Sequence, residues 1–508
     1  MNPSDYRRDY AAYHSATERE RFKRHAGLGQ SPNFQEIAER YADLWTHEAV
    51  ADLRRAREEA SVHFETERAG LRALVGAARI KHAEERAREL TNELRRCETS
   101  SRFEWRGAKV SADEAPDLLA NEREPARRRE LARLWFDSAR ACDDIRAARL
   151  ETREEATSAL GLEGSRALYE SYTGVDVERL AAASVAFLER TETAFMSRLA
   201  RWAARELPPG VGSVPDYADR FFFERAANFD ARFPAHEFRA AYEGTLASLG
   251  VRAGSQKNLH VDDERRPSKG AFTACFAVEP PEEVRLVVGS RPSGLDFYRH
   301  GFREVGGAQM FAWASRDASA RHPEFVYAPD AATEVGHGFL LSGLLCEPAW
   351  LAARRGVRAT ELEDAARFAA LLDLHDARRD CALLSYALDS AGGARSEKLD
   401  AGYVALFTGV TGFRHHAATA FSSGDENFAS ATNLRARLFA AGFGEHLRSR
   451  HGRRWYESRT AGDELIDIWN TASRYSVEEL AQLLWGGEMS FDLLADTLLA
   501  AVEGGEGV

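Results

Sequence analysis

Apolar residues recur at helical spacing along most of this chain, and the longest tracts that carry the pattern contain no proline. Residues 33–115 hold no Pro, and within them THEAVADLRRAREEASVHFETERAGLRALVGAARIKHAEERARELTNELRRCE interleaves Ala, Leu and Val with Glu and Arg. That is the pattern of long amphipathic helices. The tract 126–207 has the same character. Its mixed Arg and Glu are what solvated helix faces use for i,i+4 pairing, so this charge predicts surface. Pro208-Pro209-Gly210, with Gly212 and Pro215, breaks the pattern. The expected division is an N-terminal helical region, 1–210, and a second region, 211–508.

The period changes once. GAFTACFAV (270–278) and EVRLVVG (283–289) are short, apolar and rich in β-formers, with Glu279-Pro280-Pro281-Glu282 between them. They predict one small sheet. From residue 331 the pattern is helical again, and Ser476 with Glu479 ahead of ELAQLL reads as a helix-capping pair. No repeat, low-complexity tract or glycine-rich phosphate loop interrupts it.

Composition narrows the classes. At 508 residues and 44% hydrophobic, the chain can bury a large core. A net charge of −12 argues against nucleic acid or an anionic membrane as a partner, since both need clustered Lys and Arg. There is no apolar run of membrane-spanning length and no apolar signal core in MNPSDYRRDYAAY, so a cytoplasmic setting is expected. The five cysteines, Cys97, Cys142, Cys275, Cys346 and Cys381, show no metal-like spacing and are expected as buried reduced thiols.

The chemistry-bearing stretch is 303–307, Arg-Glu-Val-Gly-Gly. A zinc peptidase needs His-Glu-x-x-His on a helix: two imidazoles one turn apart hold Zn²⁺ and the Glu activates its water. Here Arg303 and Gly307 occupy the ligand positions and only Glu304, at the general-base position, remains.

The surroundings carry a resemblance. EEVRLVVGSRPSGLDFYRHGFREVGGAQMFAWAS (282–315) resembles the strand, loop and zinc helix of the thimet oligopeptidase/oligoendopeptidase family of zinc metallopeptidases. APDAATEVGHGFLLSGLLCEPAWL (328–351) resembles the family's second active-site helix, which puts Glu334 at the third-ligand position. ENFASATNLRARLF (426–439) is similar to the segment whose Tyr residues polarise the scissile carbonyl, with Ala429 and Asn433 at the matching positions. DYADRFFFERAANFDARFPAHEF (216–238) and HGRRWYESRTAGDELIDIW (451–469) also fit, so the resemblance covers most of residues 100–508. It implies a mainly α, multi-helical, bowl-shaped oligopeptidase-like fold with a deep central cleft and one small β-sheet, whose edge can receive an extended peptide.

A second register reads Thr333-Glu334-Val335-Gly336-His337 as the motif with its first His lost, and Glu361 as the third ligand. Either register lacks a zinc ligand, so no cofactor is expected, with zinc as the alternative. Arg303 is expected to replace the metal electrostatically and bridge Glu334. His300, His337, His415 and His416 are the candidates for a relocated metal site, and no nucleophile motif is present. The resulting expectation is a pseudopeptidase that binds a peptide or protein. The alternatives are an active zinc peptidase, or a metal-independent enzyme built on the remodelled site.

Overall fold

The computed structural model describes residues 2–29, 33–291, 293–356, 358–390 and 396–504; Pro292, inside the strand–loop–helix stretch, lies outside them. Among the described residues there are 22 α-helices and only two small sheets, a mainly α architecture as expected. The elements that carry the argument are helices α1 (Pro3–His25), α2 (Tyr217–Arg225), α3 (Leu295–Trp313), α4 (Ala332–Ser342), α5 (Glu363–Ser390) and α6 (Ala429–His451). The strands are β1 (Arg102–Trp105), β2 (Ala108–Ser111), β3 (Leu259–Asp262), β4 (Ala274–Glu279) and β5 (Glu283–Val287). No described helix is long and apolar enough to cross a membrane.

The sequence signals for helix ends operate as read. The helix Val177–Glu206 stops just before Pro208 because the residue preceding a proline is forced out of the helical region, and Leu207 is extended at ψ 140°. At Ser476 the capping box forms in full: its hydroxyl accepts the Glu479 N–H at 3.2 Å, and the Glu479 carboxylate accepts the Ser476 N–H at 2.8 Å.

Packing divides the chain into two compact units, each assembled from separate segments. The first comprises Met1–Arg79, Asn228–Ala370 and Arg435–Val508; the second comprises Ile80–Ala227 and Leu371–Leu434.

In the second unit β1 and β2 form an antiparallel hairpin that the sequence reading did not anticipate. Arg106 and Gly107 turn the chain with φ of 54° and 77°, the two positive values that a tight two-residue hairpin turn requires. Trp105 and Val110 face inward onto Leu119, Leu131, Phe136 and Ala218. The same unit buries an ion pair completely, Arg128 with Asp219 at 2.6 Å, both side chains at 0% exposure. It also departs from the cysteine expectation: Cys97 and Cys142 are bonded, while Cys275, Cys346 and Cys381 remain thiols, of which only Cys381 is a fully buried residue. The pairing joins the helix Arg88–Ser100 to the residue that precedes the helix Asp143–Ala159, across 45 residues of sequence, a pairing that spacing alone could not reveal.

In the first unit the sheet runs β3-β5-β4, with β3 parallel and β4 antiparallel to the central strand. β4 is an edge strand. Its apolar face packs on α1, where Phe22 and Ala26 meet Phe276, Val278 and Val287. α3 lies against this sheet and against α4.

Candidate functional site

The two helices that carry the candidate residues cross with their backbones almost touching. A β-carbon added at Gly306 would lie 2.4 Å from the carbonyl oxygen of His337 and 2.5 Å from the nitrogen of Gly338. One added at Gly338 would lie 2.7 Å from the carbonyl oxygen of Arg303. Both contacts are to backbone, so no rotamer change can relieve them, and small residues are obligatory at this crossing. Gly307 then falls against the Glu334 side chain: its β-carbon would be 3.1 Å from Oε1. Gly307 and Glu334, inferred as second and third ligand positions, are therefore neighbours.

Two further carboxyl groups, those of Glu304 and Glu18, act on Glu334 here. Glu304 accepts a hydrogen bond from the backbone N–H of Cys275 on β4 at 2.7 Å. Burial nevertheless raises its pKa, against the pull of that bond and of His300 and Arg303. Burial pushes Glu334 further, up to about 8, reinforced by Glu304 and by Glu18 of α1 and opposed only by Arg21. Glu18 is itself raised by burial, despite a 2.7 Å ion pair with Arg21. The Cys275 thiol, buried beside the same three carboxyls, is held well above its ordinary value and stays protonated. At neutral pH Glu334 carries a proton, so the group has less negative charge than its composition suggests.

The expected bridge from Arg303 to Glu334 does not form. Arg303 instead lays its guanidinium over the Phe339 ring, 4.9 Å from its centre, and Arg437 covers the same ring at 4.1 Å. One turn along α4, His337 is 1% exposed and ringed by Phe439, Phe443 and Trp469 at 5.7–6.3 Å. Neither of its ring nitrogens has a hydrogen-bond partner among the described residues, and burial lowers its pKa to about 3. Thr333, its i−4 neighbour, donates to the Tyr475 carbonyl at 3.2 Å. Glu361 ends a short 3₁₀ turn, is exposed, and its carbonyl accepts from Arg232.

The other candidates are engaged elsewhere. His300 pairs with Asp296 at 3.1 Å; burial would raise that carboxyl, but His300, Arg299 and Arg291 hold it at about 2. In the second unit His415 is held between the Tyr403 and Thr411 hydroxyls at 3.1 and 3.2 Å, and burial drives its pKa to about 2. His416 bonds the Asp216 carboxylate at 2.9 Å. Ala429 donates its N–H to Asp425 at 2.8 Å, and Asn433 donates to Asp380 at 3.4 Å.

No protein-family model matches the sequence, and no curated protein does. Solved structures match over nearly the whole chain. PZ peptidase A with an inhibitor superimposes with a TM-score of 0.67 at 13% identity, covering 94% of this chain and 87% of that one. M32 carboxypeptidase from Deinococcus radiodurans R1 gives 0.62 at 11% identity, covering 99% and 98%. A protein assigned as oligoendopeptidase F from Bacillus anthracis str. Ames gives 0.61 at 13%, covering 96% and 85%. The fold is that of these metallopeptidases. At this identity the likeness extends to the oligopeptidase-like fold alone, and it reaches the N-terminal hundred residues that the sequence resemblance left out.

The sequence resemblance carries the expectation of a zinc ion, and in neither register do the residues present fit one. In the first register Gly307 offers no ligand atom and Arg303 brings a fixed cation, which leaves Glu334 alone as a ligand. In the second, His337 is walled in by aromatic rings while Thr333 is committed to a backbone carbonyl. Among the described residues, no three His, Cys, Asp or Glu side chains in either register bring ligand atoms within 4.8 Å of one another. Glu18 and Cys275 are the residues at this site that sequence reasoning missed. Each reaches it through the packing of α1 and β4 rather than through any motif.

Proposed function

We propose that this chain is an oligopeptidase-like protein that binds a peptide or protein without zinc-dependent hydrolysis at the family's metal position. The observation that carries this reading is the pairing of Gly307 with Glu334, where the chemistry of a zinc peptidase needs an imidazole beside a carboxylate. The test is a mixed peptide library incubated with zinc-supplemented protein and followed by mass spectrometry. Intact peptides retained on immobilised protein, with or without chelator, are the expected result. Chelator-sensitive cleavage abolished by Glu334→Gln would refute it.

A second reading has its own support. A carboxyl held protonated near pH 8 beside a second raised carboxyl is the arrangement of a general acid with a partner base. This pair would catalyse proton transfer without a metal. Turnover that persists in chelator, falls as pH rises through about 8 and disappears in both Glu334→Gln and Glu304→Gln would favour it over the binding role.

A further inference from the structure

A different group of side chains, in the second unit, has the makings of a metal site. Glu224 lies near the end of α2, and His375 and Asp376 are consecutive on α5. His375 Nδ1 stands 3.5 Å from Glu224 Oε1 and 3.8 Å from Asp376 Oδ1, and all three ligand atoms lie within 4.8 Å of one another. For metal–ligand bonds of about 2.0–2.1 Å, the edge of a tetrahedron is about 3.3–3.4 Å. These two separations exceed that edge by a few tenths of an ångström, a distance that side-chain torsions close without moving either helix.

The imidazole supplies an independent reason. His375 is 3% exposed, stacks on Phe195 at 6.2 Å and meets Phe413 edge-on at 5.8 Å. Neither ring nitrogen has a hydrogen-bond partner among the described residues. A buried polar atom with no partner is unfavourable, and the aromatic packing fixes the ring so that Nδ1 faces the two carboxylates. Those carboxylates are partly exposed, which leaves an approach for an ion.

Arg220 qualifies the electrostatics. Its Nε is 3.7 Å from Glu224 Oε1, while its guanidinium stacks on Tyr217 and Phe221 at 4.7 and 4.8 Å. Engaged by two rings, it balances part of the negative charge of both Glu224 and Asp376 while its Nε stands 3.7 Å from the nearer carboxylate oxygen.

We infer that Glu224, His375 and Asp376 form a binding site for a divalent transition-metal ion, best matched by zinc. One imidazole with two carboxylates suits zinc or manganese better than calcium or magnesium, which take oxygen ligands alone. The site draws all its residues from the second unit and does not rest on the function proposed above.

Chelator-stripped full-length protein titrated with zinc alone should take up one equivalent, and cobalt in its place should give the visible absorption of a low-symmetry, nitrogen–oxygen site. Glu224→Gln and Asp376→Asn, both isosteric and partly exposed, should each weaken zinc binding by about 100-fold or more and remove the cobalt bands, with circular dichroism unchanged. Arg220→Gln should tighten it, and Glu334→Gln should leave it as it was. Absence of stoichiometric uptake, uptake that survives both ligand variants, or uptake lost in Glu334→Gln alone would overturn the inference.

Discussion

Replacing Gly306 with Ala should destabilise the protein, although the same change in an ordinary helix stabilises it. The added methyl would sit 2.4 Å from the His337 oxygen and 2.5 Å from the Gly338 nitrogen, whereas a comfortable contact is 3.4 Å or more. α3 and α4 must therefore separate by about 1 Å, an overpacking that costs about 1–3 kcal/mol. The gain in helix propensity offsets about 1 kcal/mol of this. The net is a loss of up to about 2 kcal/mol, and the separation also strains the 2.7 Å bond from Cys275 to Glu304. Gly402→Ala is the control: it sits exposed in the helix Glu397–Thr411 with nothing within 4 Å of the new carbon. It should gain about 0.5–1 kcal/mol. Thermal melts of the two variants read the opposite signs, and hydrogen exchange at the Cys275 amide reads the local effect. If Gly306→Ala melts at or above the wild-type temperature with Cys275 equally protected, the close crossing of α3 and α4 is wrong.

The proton on Glu334 has a thermodynamic signature. Its pKa of about 8 lies above the ordinary 4.5, so the stability it contributes is complete below pH 4.5 and is lost as pH rises toward 8. The slope is at most about 1.4 kcal/mol per pH unit. Glu334→Gln should thus gain on wild type steadily between pH 5 and 8 in thermal melts; a constant difference would mean that the carboxyl titrates normally. Arg303→His with Gly307→His should create a zinc site with Glu334, measured as one bound ion that the further change Glu334→Gln removes. Thr333→His should bind none, because His337 faces aromatic rings; zinc uptake by that variant instead would establish the second register. Denatured without reductant, the chain should expose three thiols, and Cys97→Ser with Cys142→Ser should lower stability by at most about 4 kcal/mol from the entropy of the 45-residue loop. Five reactive thiols would dispose of the bond.

Much of the architecture was written in local chemistry. The proline break after Glu206, the capping box at Ser476 and the β4–β5 hairpin each depend on residues within a few positions of one another, and each appears where the pattern put it. β1 and β2 were invisible because four-residue strands inside an Ala-, Glu- and Arg-rich tract yield too short an alternation to stand out, although Arg106-Gly107 was a turn signal. At the site, sequence identified the positions but not their relations. Gly307 reads as a missing ligand; only packing shows that its neighbour Gly306 is there to let two backbones meet. Arg303 reads as a replacement cation, but Phe339 offers its guanidinium a surface that Glu334 does not. Glu18 and His375 could not be ranked, because what distinguishes them is the company of residues hundreds of positions away or, among the described residues, ring nitrogens left without a hydrogen bond.

The interleaving of the two units bears on how the chain can be made. The second unit ties Arg149 and Arg153 to Glu426, and the first ties Ser315 to Asn470 and Ser473 to Phe325. A ribosome working at about 5–20 residues per second needs roughly 20–90 s to reach Leu434, the last residue of the second unit, and longer to complete the first. During that time the amphipathic helices at the front of the chain wait with their apolar faces unmatched, so neither unit can be secured by folding from its N-terminus as synthesis proceeds. Producing this protein in quantity should therefore depend on slow synthesis, low temperature or chaperone supply more than its charged and water-compatible finished surface would suggest.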